Sequence, residues 1–290
     1  EKSARDVWRP LSEIPAEQQR QTSYLQAQSH SLFSINTDLL QQQLWSAPRE
    51  FTTTGRNNPL VLSRPRPDGT TERFAVKESS VMAPELQAKF PDIRTFIAQG
   101  IDNPAANARL DLTPQGFHAQ VLAPDEGAWY IDPYIHTGGR DGAYLSYYKK
   151  DLAAGTQIKC QTIDVGPVAT VENTGGQGGN ATEATSGTVL RQYDFAVATT
   201  GEYTAFHGGT VSLGLAAVTV VNRMTQIYET DLTVRLTLVA NNDLLIYTNS
   251  ATDPFTNPSN PSTTNSQNQT NTDSVIGSAN YDVGHVFHRG

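Results

Sequence analysis

From Pro59 to about Tyr148 apolar residues alternate with polar ones, the period of half-buried strands. Leu60 and Leu62, Phe74 and Val76, Val81, Phe96 and Ile97, Leu110 and Leu112, Phe117 and Val121, and Trp129 and Ile131 mark the runs. Between them, Pro67-Asp68-Gly69-Thr70, Pro114-Gln115-Gly116 and Pro124-Asp125-Glu126-Gly127 each combine proline for the first turn position with glycine for a positive φ, which predicts hairpins. Upstream, Trp8 to Trp45 is glutamine-rich, is broken by Pro10 and Pro15, and carries Leu32, Phe33, Ile35, Leu39, Leu40 and Leu44 at mixed spacing. An extended lead-in and a short helix are expected there. The β-rich region should end near Val165, because Gly166-Pro167 opens a stretch whose Gly, Thr, Asn and Ser cannot build a core.

A different pattern begins at Tyr193. Phe195-Ala196-Val197-Ala198 predicts a short buried strand, and Gly208-Gly209-Thr210 a turn followed by a helix N-cap. A helix is expected from about Val211 to Tyr228, with Ala217, Val220, Val221, Met224, Ile227 and Tyr228 on the face that packs against a sheet. In Leu232 to Val239, Val234, Leu236 and Leu238 alternate with Thr233, Arg235 and Thr237, which predicts a half-buried strand. Strand, helix, strand implies a parallel pair with a crossover. Asp253 to Thr272, with three prolines, reads as a polar loop, followed by a short helix around Val275 and a strand at Gly284-His285-Val286-Phe287.

The chain has 290 residues, of which 37% are apolar, enough for two cores. Only 17% are charged and the net charge is -8. Without clustered Lys and Arg to neutralise phosphates, no nucleic-acid partner is expected. The most apolar window, Val211 to Val221, falls short of a bilayer span, so no membrane crossing is expected either. An acidic, polar chain suits a secreted protein. It does not begin with Met, as expected if a leader was removed or lies upstream. A strand running almost to Gly290 suggests that the sequence is cut from something longer. The single cysteine, Cys160, excludes an intrachain disulfide and a cysteine-rich zinc cluster.

Spacing alone identifies no active site. No two of His30, His118, His136, His207, His285 and His288 stand at the i,i+4 spacing that brings imidazoles together on a helix. His285 and His288 could share a metal on a helix, but their surroundings favour a strand, which points them apart. His207, in a glycine-flanked turn, reads as a surface residue. There is no Gly-x-Ser-x-Gly elbow, and Gly175-Gly176-Gln177-Gly178-Gly179 lacks the strand and helix of a phosphate cradle, so it reads as linker.

Tyr193 to Tyr203 (Tyr-Asp-Phe-Ala-Val-Ala-Thr-Thr-Gly-Glu-Tyr), Val221-Asn222-Arg223, Ile227-Tyr228-Glu229 and Ile276 to Phe287, above all Tyr281-Asp282-Val283-Gly284-His285-Val286-Phe287, resemble the secreted bacterial reprolysin-like metallopeptidases, zincins of the metzincin group. Leu60 to Arg64, Phe74-Ala75-Val76 and Phe90 to Phe96 are similar, less specifically, to that family's N-terminal pro-region. The resemblance implies a mixed α+β chain: a β-rich pro-domain over 1–165, a linker over 166–188, and over 189–290 an incomplete α/β zincin-like upper subdomain. In the family, the strand matching Gly284 to Phe287 precedes the substrate-binding edge strand and a helix with His-Glu-x-x-His and a third His. None of those motifs is in this sequence, and His288-Arg289-Gly290 departs from the small, glycine-rich family pattern.

The resemblance therefore implies a zymogen fragment of a secreted zinc metalloendopeptidase acting on peptide or protein substrates. Zn2+ is expected in the full-length parent. This chain itself is expected to hold no cofactor and to be inactive, with no catalytic residue carried over. Cys160 is the candidate metal ligand, since related zymogens hold a thiol near the end of the pro-region that takes the fourth zinc position. Burial as an ordinary core thiol is the competing reading. The rival function is a two-module secreted adhesin or glycan-binding surface protein, suggested by the β-rich first half and the polar linker.

Overall fold

A computed structural model describes residues 6–20, 25–135, 142–152, 189–256 and 260–289. The first half contains β1 (Trp8–Pro10), α1 (Ala16–Gln19), β2 (Ser31–Ile35), α2 (Thr37–Trp45), α3 (Thr53–Asn57), β3 (Leu60–Pro65) and β4 (Thr71–Glu78). After these come α4 (Pro84–Lys89), β5 (Arg94–Gly100), β6 (Asn107–Thr113), β7 (Gly116–Ala123), β8 (Gly127–Pro133) and β9 (Ala143–Tyr148). The nine strands form one antiparallel sheet in the order β1-β2-β9-β8-β7-β6-β5-β4-β3.

This sheet curls until its ends approach, and side chains complete the closure. Trp8 Nε1 on β1 donates to the Ser63 carbonyl on β3, and Ser146 Oγ donates to the Pro65 carbonyl at 3.1 Å. Phe33, Leu62, Phe74, Phe96, Leu110, Phe117, Trp129 and Tyr144 fill one interior core. The three hairpin turns fall where proline and glycine pairing places them. Gly69, Gly116 and Gly127 take φ of +83°, +128° and +89°, which a side-chain-bearing residue resists. The lead-in is more ordered than its spacing predicts: Trp8–Pro10 and Ser31–Ile35 are strands, while Val81 lies in a connection, not in a sheet strand.

The second half contains β10 (Arg191–Thr199), α5 (Gly201–Phe206), α6 (Val211–Gly214), α7 (Ala217–Leu232), β11 (Val234–Leu238), α8 (Pro261–Val275) and β12 (Val283–Phe287). Its sheet is parallel throughout, in the order β11-β10-β12, with Phe195 opposite Leu238 on one side and Val283 on the other. The expected crossover is present, and Thr210 caps α6 by accepting the Leu213 N–H at 3.2 Å.

Three expectations are corrected. The expected helix divides into α6 and the longer α7, and Ile227 and Tyr228 face solvent, whereas Thr219, Asn222, Thr225 and Gln226 are buried. On β11 the polar residues Arg235 and Thr237 are buried as well, so this strand is covered on both faces. The polar stretch expected as a loop over Asp253 to Thr272 contains the fifteen-residue helix α8. There Asn260 caps the start by accepting the Ser262 and Thr263 N–H groups, and Thr264, Asn268 and Thr272 form a buried stripe at four-residue spacing. A stripe of small polar residues carries no apolar periodicity. The expected boundary near Val165 and the linker 166–188 lie outside the described residues.

Candidate functional site

Among the described residues β12 has a strand partner on one side only, β10, so its other edge presents unpaired backbone groups. Such an edge can accept an extended peptide as a further strand. Val283 and His285 are exposed along it. The His285 ring meets the rings of Phe195 and Phe287 at centroid distances of 6.3 and 4.8 Å. This apolar crowding, with the nearby His288, holds the imidazole below its ordinary pKa and favours the neutral form. Beneath the strand, Tyr203 on α5 stacks on Phe287 at 5.5 Å. Thr200 caps α5 through the Tyr203 N–H, and Asp253 Oδ2 accepts the Gly201 N–H at 2.7 Å.

The histidines are dispersed. His30 is exposed, with Nδ1 3.2 Å from the Ala27 carbonyl, and His118 is buried against Asp111 at 2.9 Å. His207 is buried, contrary to the surface reading of its turn, because the Tyr203 and Phe206 rings lie against it and Gln115, in the turn between β6 and β7, bonds its Nδ1 at 2.9 Å. His136 and Cys160 lie outside the described residues. Among the described residues no three His, Cys, Asp or Glu side chains are grouped to hold a metal, so these residues do not supply a zinc ligand set.

The densest polar chemistry lies where α7 and β11 meet the barrel. Strands β6 and β7 send Ala108, Leu110, Leu112, Phe117, Ala119 and Val121 inward, and their alternate residues Arg109, Asp111, His118 and Gln120 outward, yet these too are buried. Asp111 Oδ1 accepts from His118 Nδ1 at 2.9 Å and from Thr219 Oγ1 at 2.7 Å, while Asn222 Nδ2 donates to the Leu110 carbonyl at 2.9 Å. With the carboxylate between imidazole and hydroxyl, and all three groups sealed from solvent, the trio serves as a latch and has no access for a substrate.

Charged groups extend the contact. Glu229 on α7 accepts from Arg109 and Arg235, and Arg235 also bonds Glu50. Burial pulls the Arg109 pKa down despite Glu229. Burial acts the same way on Arg235, but its bonds to Glu50 and Glu229 outweigh it and raise the net value. Arg223 Nη2 donates to Asp132 Oδ1 at 2.6 Å, and Gln120 bonds Gln226 at 3.0 Å. Sequence reading missed this interface, because outward polar residues on a strand look the same whether water or another module faces them.

Residues 189–290 match the model of the reprolysin-like metallo-peptidase family M12B, which supports a metallopeptidase domain in this part of the chain. No curated protein matches the chain. The matched segment begins two residues before β10 and contains the whole parallel sheet with α7 and α8.

Proposed function

We propose that the chain comes from the zymogen of a secreted bacterial zinc metalloendopeptidase, with 1–165 as its pro-domain and 189–290 as the first part of the catalytic domain. The family match over 189–290 is the observation that carries this reading. In this reading the open edge of β12 is where the substrate-binding edge strand of the family pattern would pair, and no helix of the described residues is long and apolar enough to cross a membrane. In this reading the zinc ligands belong to sequence that follows β12 in the family pattern. The adhesin reading retains only the groove of about 500 Å³ at the barrel seam, lined by Trp8, His30, Phe33 and Thr71.

Expression of the parent extended beyond Gly290 tests the proposal. Linker-cut protein, further processed where needed to remove the N-terminal module, should hydrolyse peptides and lose that activity to a chelator. Absence of hydrolysis after the module is removed, from a remaining unit that circular dichroism shows to be folded, would refute the peptidase reading. If Cys160 is the latency ligand, X-ray absorption of the zinc-loaded, unprocessed parent should show a sulfur ligand that Cys160→Ser lacks, and an unchanged ligand shell would eliminate that role.

A further inference from the structure

The boundary between the two modules does not coincide with the boundary between their cores. The connection from β4 to β5, residues 79–93, leaves the barrel and enters the second half. Leu238 N donates to the Val81 carbonyl at 2.8 Å, and Ala83 N donates to the Leu238 carbonyl at 2.8 Å. Residues 81–83 thus run parallel to β11 and occupy the edge of the sheet opposite β12. Val81, Met82, Leu86 and Ile93 are at most 3% exposed, and they share one apolar cluster with Phe195, Leu215, Val218 and Leu238. Pro84 opens α4 just after the pairing segment, and Lys89 at its end bonds Asp243 at 2.7 Å.

We infer that residues 79–93 are a structural part of the reprolysin-like unit, and that the N-terminal module remains bound to it as a non-covalent partner when the chain between them is severed. Strand pairing fixes the register of the segment, and the apolar side chains seal the floor between β11 and α7. The latch on Asp111 and the Arg109–Glu229 ion pair orient the barrel over the same helix, and Arg235 on β11 pairs across with Glu50. Losing the tether removes only the effective concentration it supplied, and a contact with a desolvated apolar centre and a polar surround has the anatomy of a stable interface. Within the peptidase reading, cutting the linker alone would then leave the N-terminal module in place on β11 and α7. The association itself does not depend on that reading.

The test uses the full chain with a unique protease site inserted between Gly176 and Gln177. After complete cleavage, gel filtration at micromolar concentration should give a single peak containing both fragments, separating only in denaturant. In the cleaved protein Leu86→Ala should release the fragments at a concentration at least tenfold higher than that at which wild type separates. The uncleaved variant, checked by circular dichroism, should keep its fold. Separation of the wild-type fragments under native conditions, whether both stay soluble or one precipitates, would overturn the inference. So would a cleaved Leu86→Ala protein that holds together as tightly as wild type.

Discussion

Glu229 is the acceptor that two arginines share, and Glu229→Gln should expose how much of the inter-module contact depends on it. The Arg109 side chain is 1% exposed and that of Glu229 14%, so the pair is far from solvent screening. Arg235 keeps Glu50 after the substitution, whereas among the described residues Arg109 keeps only the Ser79 hydroxyl at 2.8 Å. Removing one partner of a buried pair costs about 3–5 kcal/mol because the remaining charge stays buried without compensation. The glutamine retains the shape and one acceptor, which places the loss near the lower figure, about 3 kcal/mol. With a urea slope of about 3 kcal/mol per molar for a chain of this size, the unfolding midpoint should fall by about 1 M. Arg109→Met combined with Glu229→Leu should recover most of the loss, because no isolated charge is left. A loss below about 1 kcal/mol, the scale of an exposed pair, would refute this account of the interface, as would a double variant no more stable than the single one.

Arg64 stands inside the barrel, fully buried, with its guanidinium 3.8 Å from the Phe74 ring centre and none of its nitrogens hydrogen-bonded among the described residues. Burial pulls its pKa down to about 9, with partial relief from Glu72. Arg64→Met should therefore be neutral or stabilising by about 1–4 kcal/mol at pH 7 in urea melts. Below about pH 9 the unfavourable charge burial is fully present, and it is relieved as pH rises, so the difference between variant and wild type should shrink above that value. A strongly destabilised variant at pH 7 would contradict this. Gly201→Ala should cost about 1–3 kcal/mol, since its Cβ would stand 2.1 Å from the Ser250 backbone nitrogen; an unchanged melting temperature counts against it. Asn222→Ala should lose about 1–3 kcal/mol, because the Leu110 carbonyl loses its donor; chemical denaturation measures it, and a neutral result would show that the bond contributes little.

The sequence disclosed those elements whose local chemistry and burial agree. Gly69, Gly116 and Gly127 mark their turns because positive φ excludes most alternatives, and the crossover from β10 to β11 shows in ordinary apolar periodicity. Helix α8 escaped notice because its buried stripe is Thr264, Asn268 and Thr272, and because Thr264, Ser266 and Thr270 send their hydroxyls back to carbonyls four residues earlier. The segment that matches the reprolysin-like family model was legible through the run ending at Phe287. The interface was not, since Arg109 and Asp111 occupy the outward positions of an ordinary half-exposed strand, and nothing local records that α7 covers them.

The interface divides its work between two kinds of contact. Val81, Met82, Leu86 and Ile93, if each is worth about 1.5–3 kcal/mol on full burial, supply roughly 6–12 kcal/mol of gross attraction before entropy is charged against it. The ion pairs through Glu229 and Asp132 contribute far less net attraction, because desolvation consumes most of what the Coulomb term returns. What they add is discrimination. Rotating the barrel over α7 or sliding it by one strand residue would leave Arg109, Asp111 or Glu229 buried without a partner, at a cost of several kcal/mol for each displaced group. The apolar segment alone would tolerate many such placements, since methyl groups have no directional preference. Adhesion therefore comes from the β4 to β5 connection and alignment from the polar faces of β6, β7 and α7. Loss of either has a different consequence: weakened attachment in the first case, and in the second a penalty for buried charge that a hydrophobic pair can remove.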